Sequence, residues 1–141
     1  MSVEKTLIMI KPNAVKKNAI GAIIQRFEAQ GLQVIAARLE HMSPETCRGF
    51  YAEHEGKFFF DGLVEFMSSG TTMLLAFYGE NAIDRAREIM GNTDPSQAAP
   101  GTIRADFADS MTENAVHGSD SPDSAARELG FHFTPDQVCM R

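Results

Sequence analysis

The segment NAVHGSDS, residues 114–121, places His117 among small and polar residues. Imidazole is the side chain best suited to nucleophilic or proton-transfer chemistry near neutral pH. A lone histidine at a strand end is more often structural, but two neighbours favour chemistry here. Gly118 removes side-chain bulk beside the ring, and a helix start at Ser121 and Pro122 brings free N–H groups close. From the residues alone a structural role for His117 stays open, and the pattern favours an anion as the group that approaches the ring.

Glu128 lies on the helix that follows His117. A carboxylate bonded to one imidazole nitrogen fixes the tautomer and leaves the other nitrogen with its lone pair. The residues alone are equally compatible with a solvated Glu128 that pairs with Arg127 or with nothing.

Several cationic and hydroxyl side chains could hold phosphates. Arg87 lies four residues after Ile83 on the helix face that meets the core, so its guanidinium either extends to the surface or points into a cleft. Lys11 follows the first strand, Thr93 follows a helix end, and Arg104 closes a long polar loop. These side chains can neutralise a chain of phosphates, and no glycine-rich phosphate-binding motif is present to do so instead.

Three successive phenylalanines occur in KFFFDGLVEFM, and on one helical turn they cannot all face the core. An exposed ring could stack on a nucleobase. A hydrophobic staple at the start of a helix is an equally common explanation.

Composition limits the remaining classes. A chain of 141 residues, 43% hydrophobic, predicts one domain over residues 1–141. The net charge of −6 argues against nonspecific nucleic-acid binding. The apolar runs are too short to span a membrane and the N-terminus lacks a secretory pattern, so we expect a cytoplasmic protein. Cys47 and Cys139 have no metal-ligand or disulfide spacing and are expected to be buried thiols.

The elements that must position these residues can be predicted from periodicity and from Gly and Pro. Strands are predicted at 6–10, 32–40, 71–78 and up to His117, with helices at 19–30, from Ser43, at 60–69, at 81–90 and from Ser121 to a stop at Gly130. Residues 131–138 are expected to be extended. The order fits an α+β fold, a ferredoxin-like βαββαβ sandwich with helices against one face of a four-stranded antiparallel sheet. Alternation in AVHG predicts Ala115 and His117 on one face and Val116 on the other.

Five motifs together resemble one family nearly end to end: TLIMIKPNAV, GFYAEH, FFDGLVEFMSSG, GTIRADF and NAVHGSDS. The chain resembles the bacterial nucleoside diphosphate kinases. The resemblance implies ping-pong transfer of the γ-phosphate of a nucleoside triphosphate, typically ATP, to His117 and then to a nucleoside diphosphate. It also implies broad base and sugar tolerance, maintenance of triphosphate pools, Mg²⁺ held mainly through the nucleotide phosphates, and a homo-oligomer: a dimer, tetramer or hexamer.

The resemblance also assigns roles to single residues. Around the nucleophile His117, these are Glu128 bonded to the ring, Ser119 supporting Glu128, and Lys11 and Tyr51 near the transferred phosphate. Around the nucleotide, they are Arg87, Thr93 and Arg104 on the other phosphate oxygens, Asn114 and Lys11 at the sugar, Phe59 stacked on the base and Met111 on its other face.

The chain departs from the family pattern at Phe58 and Thr71, where proline is usual; loop rigidity and stability could differ there. Two other functional classes stay open. A regulatory module that binds nucleotide without turnover would not need His117 or Glu128, and a histidine phosphocarrier serving a protein would not need Phe59.

Overall fold

The computed structural model describes residues 2–141. Its strands are β1 (Val3–Ile10), β2 (Gln33–Glu40), β3 (Thr72–Glu80) and β4 (Val116–Gly118). The helices are α1 (Pro12–Lys16), α2 (Ile20–Ala29), α3 (Pro44–Phe50), α4 (Phe60–Met67), α5 (Ala82–Met90), α6 (Ile103–Phe107) and α7 (Pro122–His132). Short 3₁₀ turns lie at Ala52–His54, Pro95–Gln97 and Pro135–Gln137. No helix within residues 2–141 is both long and apolar enough to cross a bilayer.

The four strands form one sheet in the order β2-β3-β1-β4, and every neighbouring pair is antiparallel. Strand β3 lies between β1 and β2, and strand β1 lies between β3 and β4. The connection from β1 to β2 and the connection from β3 to β4 therefore each pass over one intervening strand. This is the predicted ferredoxin-like α+β arrangement, and it is confirmed. The two central strands carry the long apolar runs because both of their faces are buried.

Helices cover both faces of the sheet, so the prediction of a single covered face is wrong. Ile8 and Ile10 of β1 pack with α1, α2 and α5 on one side. Leu7 and Met9 pack with α3, α4 and residues of the C-terminal segment on the other. The unbroken apolar run of β1 indicates that both of its faces are covered, since a strand covered on one face alternates apolar and polar residues instead.

Helix starts were predicted better than helix ends. Ser43 accepts from the N–H of Thr46, and Ser121 from the N–H of Ser124, as their N-cap positions require. Gly130 does not stop α7, which continues to His132, and a 3₁₀ turn interrupts the segment expected to be extended. The short helices α1 and α6 were not predicted, because five residues are too few to show a helical period.

Ala115 breaks the alternation expected before His117. Its φ is +75°, and the N–H of Val116 donates to the carbonyl of Asn114 over 2.9 Å, which closes a γ-turn. Ala115 and Val116 therefore belong to the same buried cluster instead of opposite faces. Alternation begins only at Val116, and His117 faces the side of the sheet that carries Met9.

Candidate active site

His117 occupies the middle of β4, paired with Met9 of β1. Its ring meets two aromatic rings edge-on, with centroid distances of 5.5 Å to Phe50 and 6.5 Å to Tyr51. Both aromatics lie at the end of α3, so this helix sets one wall around the imidazole. The ring is partly exposed and open to an incoming group.

Glu128 contacts His117 directly: His117 Nε2 lies 2.8 Å from Glu128 Oε1. The carboxylate is buried, with 5% of the residue exposed, so the alternative of a solvated Glu128 is wrong. Ser119 supports the same oxygen, donating from Oγ over 2.8 Å while it accepts the N–H of Leu7. Arg127 Nη2 lies 3.7 Å from the other oxygen.

Burial by itself would raise the pKa of Glu128. The hydrogen bonds from His117 and Ser119 and the nearby charges of His117 and Arg127 outweigh burial, so this pKa lies below its ordinary value. An ionised carboxylate only accepts hydrogen bonds, which requires the proton to sit on His117 Nε2. The lone pair of the neutral ring is then on Nδ1, the nitrogen available for bond formation.

Gly118 serves packing more than access to the imidazole. A Cβ at this position would come within 2.8 Å of Met90 Sδ and 3.2 Å of Ile8 Cδ1. Both neighbours lie in the core on the sheet face opposite to His117, so the predicted role of clearing space beside the ring is wrong. The glycine lets α5 approach β4 closely.

Three cationic side chains surround the end of β4. Arg104 is buried and donates to the carbonyls of Gly91 and Val116 over 2.8 and 2.9 Å. Arg87 Nη1 lies 3.5 Å from the carbonyl oxygen of Gly118. Arg104 therefore points inward, whereas Arg87 is exposed and reaches the backbone beside His117 from the surface.

Lys11 is buried directly after β1, and its backbone N–H donates to the carbonyl of Ala115 over 2.8 Å. Burial, and then the charge of Arg104, lower the pKa of its ammonium to about 7. Burial followed by the charge of Arg87 likewise lowers the pKa of Arg104 to about 10. Cations held close together out of water form a site that favours an anion.

Several buried polar atoms lack a hydrogen-bond partner within residues 2–141, and three of them belong to predicted site residues: Tyr51 OH, Arg104 Nε and Asn114 Oδ1. Burial raises the pKa of Tyr51 far above its ordinary value, so its phenol keeps the proton and can donate. Unsatisfied buried groups are costly and uncommon. A polar ligand that reached these three residues would supply the missing partners.

The three phenylalanines divide as expected between core and solvent. Phe60 is buried, Phe59 is 37% exposed and Phe58 is 99% exposed. Phe59 lies 5.4 Å from the ring of His54, which in turn lies 6.4 Å from Tyr51, so aromatic contacts lead from Phe59 back to the residues beside His117.

The remaining residues that were predicted to bind the nucleotide lie on the loops between α5 and β4. Asn114 Nδ2 donates to the carbonyl of Thr93 over 3.4 Å, which joins two of the predicted residues. Met111 is exposed on the loop between α6 and β4, and its position over a base stays a prediction.

Reasoning from the sequence missed two groups of residues near the site. Phe50 packs on His117, but its place in the sequence predicts only an ordinary core residue. Asn13 and Lys17 form a hydrogen-bonded network with Asp109, which lies on the loop that carries Met111. Asp109 lies 96 positions from Asn13 and 92 from Lys17, so no local pattern could have paired it with them.

No cluster of three or more His, Cys, Asp or Glu side chains suited to a metal ion occurs in the part of the chain that the structure describes. Cys47 is buried and Cys139 is exposed, and both are free thiols, so the prediction of burial is wrong for Cys139.

A sequence model of the nucleoside diphosphate kinases matches residues 4–138. The chain belongs to the nucleoside diphosphate kinase family. Among solved structures it is similar to the nucleoside diphosphate kinase of Aquifex aeolicus, with 44% identity, coverage of 97% of this chain and 99% of the other, and a TM-score of 0.95.

Two further relatives show the same agreement. A nucleoside diphosphate kinase family protein from Babesia bovis is 41% identical over 98% of this chain and 93% of its own, with a TM-score of 0.92. A halophilic nucleoside diphosphate kinase from Halobacterium salinarum, solved in complex with CDP, is 38% identical over 99% and 93%, with a TM-score of 0.95. The nucleoside diphosphate kinase fold thus extends over almost the whole chain.

Proposed function

We propose that this nucleoside diphosphate kinase transfers the γ-phosphate of a nucleoside triphosphate, typically ATP, to Nδ1 of His117 and then to a nucleoside diphosphate. The observation that supports this route is the 2.8 Å contact between His117 Nε2 and Glu128. It engages one ring nitrogen and leaves the other as the nucleophile.

In the first half-reaction the lone pair of Nδ1 attacks the γ-phosphorus. The N–P bond forms while the bond to the bridging oxygen breaks, and the diphosphate leaves with the electron pair of that bond. Positive charge develops on the ring, and the Glu128 carboxylate stabilises it through Nε2–H. The second half reverses these steps, because a β-phosphate oxygen of the acceptor diphosphate attacks the phosphohistidine.

Phosphoryl transfer depends mainly on positioning and on neutralising charge. We assign Lys11 and Tyr51 to the transferred phosphate, and Arg87, Thr93 and Arg104 to the other phosphate oxygens. The buried ammonium of Lys11, the buried guanidinium of Arg104 and the unpartnered Tyr51 hydroxyl support the roles of these three residues. Mg²⁺ would be held mainly through the nucleotide phosphates, where it would add positive charge to the polyphosphate.

The nucleoside would stack on Phe59, with Met111 over its other face and Asn114 and Lys11 at the sugar. Every base has a π-face, so stacking without reading of base edges gives the tolerance that maintenance of mixed triphosphate pools requires. A related enzyme bound to CDP is consistent with a site for nucleoside diphosphates. We also propose a cytoplasmic homo-oligomer that binds neither nucleic acid nor membranes.

The test is to incubate the protein with γ-labelled ATP and Mg²⁺, remove the nucleotide and add unlabelled GDP. We expect an alkali-stable, acid-labile phosphoenzyme whose label passes to GTP. Absence of label on the protein would contradict the kinase route and favour a regulatory module. Label that GDP cannot discharge would point to a phosphocarrier.

Two variants locate the nucleophile and its partner. His117→Ala should abolish labelling while nucleotide binding remains, whereas His41→Ala, at an exposed histidine, should label normally. Glu128→Gln keeps the shape of the side chain but removes the charge, so labelling should slow by about 10²-fold. Labelling of the His117→Ala protein would refute the assignment of the nucleophile.

A further inference from the structure

The loop of residues 108–113, which joins α6 to Asn114, has a closed shape of its own. The N–H groups of Asp109 and Ser110 both donate to the carbonyl of Glu113, over 2.8 and 3.2 Å. The hydroxyl of Ser110 accepts the N–H of Glu113 over 3.0 Å. Met111 lies at the exposed tip of this loop.

Two side chains from the α1 region tie this loop down. Asn13, which is only 8% exposed, donates from Nδ2 to Asp109 Oδ2 over 2.9 Å and to the carbonyl of Glu113 over 2.8 Å. Lys17 donates from Nζ to Asp109 Oδ1 over 2.7 Å and to the carbonyl of Phe107 over 2.8 Å. We call these contacts the Asp109 network.

The Asp109 network connects Lys11, a proposed phosphate residue, with the loop that carries the proposed nucleoside residues. Helix α1 begins directly after Lys11, whose N–H is bonded to the carbonyl of Ala115. Asn13 then bonds the same helix to the loop that precedes Asn114. The relative position of a proposed phosphate residue and of the proposed nucleoside residues is thus fixed through one short helix.

We propose that Asn13 and Lys17 are positioning residues for nucleoside binding, which hold loop 108–113 so that Met111 and Asn114 meet the base and sugar. This inference rests on the proposed function. Neither residue is assigned a contact with the transferred phosphate in this scheme, so their loss should weaken nucleotide affinity without slowing the chemical step. The hydrogen bonds from Lys17 and Asn13 also lower the pKa of Asp109, as expected for a carboxylate that is held in its charged form.

The two ties respond differently to salt. Lys17 and Asp109 form an ion pair with side chains that are 41% and 46% exposed, so salt should screen it. Asn13 is buried and neutral, so its contribution should persist. Salt therefore separates the contribution of the ion pair from that of the amide.

The test compares binding of ADP with binding of inorganic tripolyphosphate, which has no base or sugar, by titration calorimetry of the full chain. Asn13→Ala should weaken ADP binding about fivefold to tenfold, the effect of losing one or two buried hydrogen bonds, and change tripolyphosphate binding less than about twofold. Lys17→Gln should weaken ADP binding less, and only at low salt. Lys16→Gln, the same change on the adjacent exposed lysine, should have no effect.

The kinetic readout is a rise in KM for the diphosphate with kcat within about threefold of wild type. In a double-mutant cycle, Asp109→Asn should add little to Lys17→Gln, because both remove the same ion pair. Equal loss of ADP and tripolyphosphate binding would overturn the proposal, as would unchanged ADP binding in both Asn13→Ala and Lys17→Gln. Failure of wild-type labelling by ATP would instead contradict the proposed function, which the binding comparison does not measure.

Discussion

Arg104 donates from Nη2 to the carbonyl oxygen of Val116 over 2.9 Å, and Val116 immediately precedes His117. Its other terminal nitrogen donates to the carbonyl of Gly91, at the end of α5. One guanidinium therefore connects the end of α5 to the strand that carries His117, the proposed nucleophile. Its Nε is buried and has no hydrogen-bond partner within the described chain.

Arg104→Ala should weaken turnover without eliminating it, because Arg87 and Lys11 still contribute positive charge. It should also lower the free energy of unfolding by about 1–3 kcal/mol, since two carbonyls lose a buried donor. Arg104→Lys should not restore either property, because an ammonium cannot match the planar guanidinium that reaches both carbonyls. Steady-state kinetics and urea denaturation measure the two effects, with Arg48→Ala at an exposed site as the control. Complete loss of turnover in a folded Arg104→Ala protein would contradict the shared role.

Lys11 should make phosphate binding depend on pH. Its pKa of about 7 means that the free protein loses this positive charge as the pH rises through neutrality. The affinity for tripolyphosphate should therefore fall by about tenfold above this pKa, the loss of one charge-assisted hydrogen bond. Calorimetric titrations across the pH range would measure it, and Lys11→Met should bind weakly with a flatter profile. An unchanged profile in that variant would exclude Lys11 as the titrating group.

The same ammonium should affect stability in the opposite direction. In the unfolded chain Lys11 keeps its ordinary pKa of 10.5, so between about pH 7 and that value the unfolded state binds more protons than the folded state. The contribution of Lys11 to the free energy of unfolding should therefore rise with pH through this window. Below pH 7 both states are protonated, and the folded state bears the full cost of a buried charge. Subtracting the stability profile of Lys11→Met from that of wild type isolates this contribution.

His132 should destabilise the protein in acid. Its ring is buried against Phe50, with a centroid distance of 4.8 Å, and Nε2 has no partner within residues 2–141. Burial lowers its pKa from 6.5 to about 4, although nearby charged groups act in both directions: Glu40 and Glu128 raise it, and Arg38 and His117 lower it. Between those values the unfolded state binds the extra proton, so stability is lost as the pH falls.

His132→Phe should remove that loss while it keeps the aromatic packing. The measurement is urea denaturation at pH values from about 6.5 down to about 4.5, with His41→Gln as the exposed control. As the pH falls, the free energy of unfolding of wild type should decrease relative to that of the His132→Phe variant. Parallel profiles would show that another group causes the acid sensitivity.

Gly118→Ala should destabilise the fold through the contact with Met90. The new Cβ would lie 2.8 Å from Met90 Sδ, the flexible end of a buried side chain that would have to shift, which should cost about 1 kcal/mol. Gly62→Ala is the matched control, because that glycine lies in α4 with open space around it. There the helix propensity of alanine should raise stability by about 0.5–1 kcal/mol. Thermal denaturation of both variants is sufficient, and equal melting temperatures would refute the packing role of Gly118.

Local chemistry made much of the site predictable from sequence. The helix start at Ser121 was visible in its capping residues, and a helix that begins there can return Glu128 to the imidazole. What could not be predicted depends on pairing across the sheet. The position of Gly118 against Met90 requires the orientation of β4 on β1, and the contacts of Asn13 with Asp109 require the loop after α6 to return to α1. The positive φ of Ala115 is imposed by its surroundings in the fold, and the residue type alanine gives no indication of it in the sequence.

His117 and Glu128 are eleven residues apart and belong to one continuous strand-to-helix segment. The Phe59 ring, by contrast, comes from a different region, the approach to α4. Local unfolding that released α3 and α4 from the sheet would therefore separate the two functions of the site. Such a species would keep its reactive imidazole and lose its hold on the nucleoside. By the proposed route, a phosphohistidine on such a species would be exposed to water, so we expect the packing of α3 and α4 to protect it from hydrolysis.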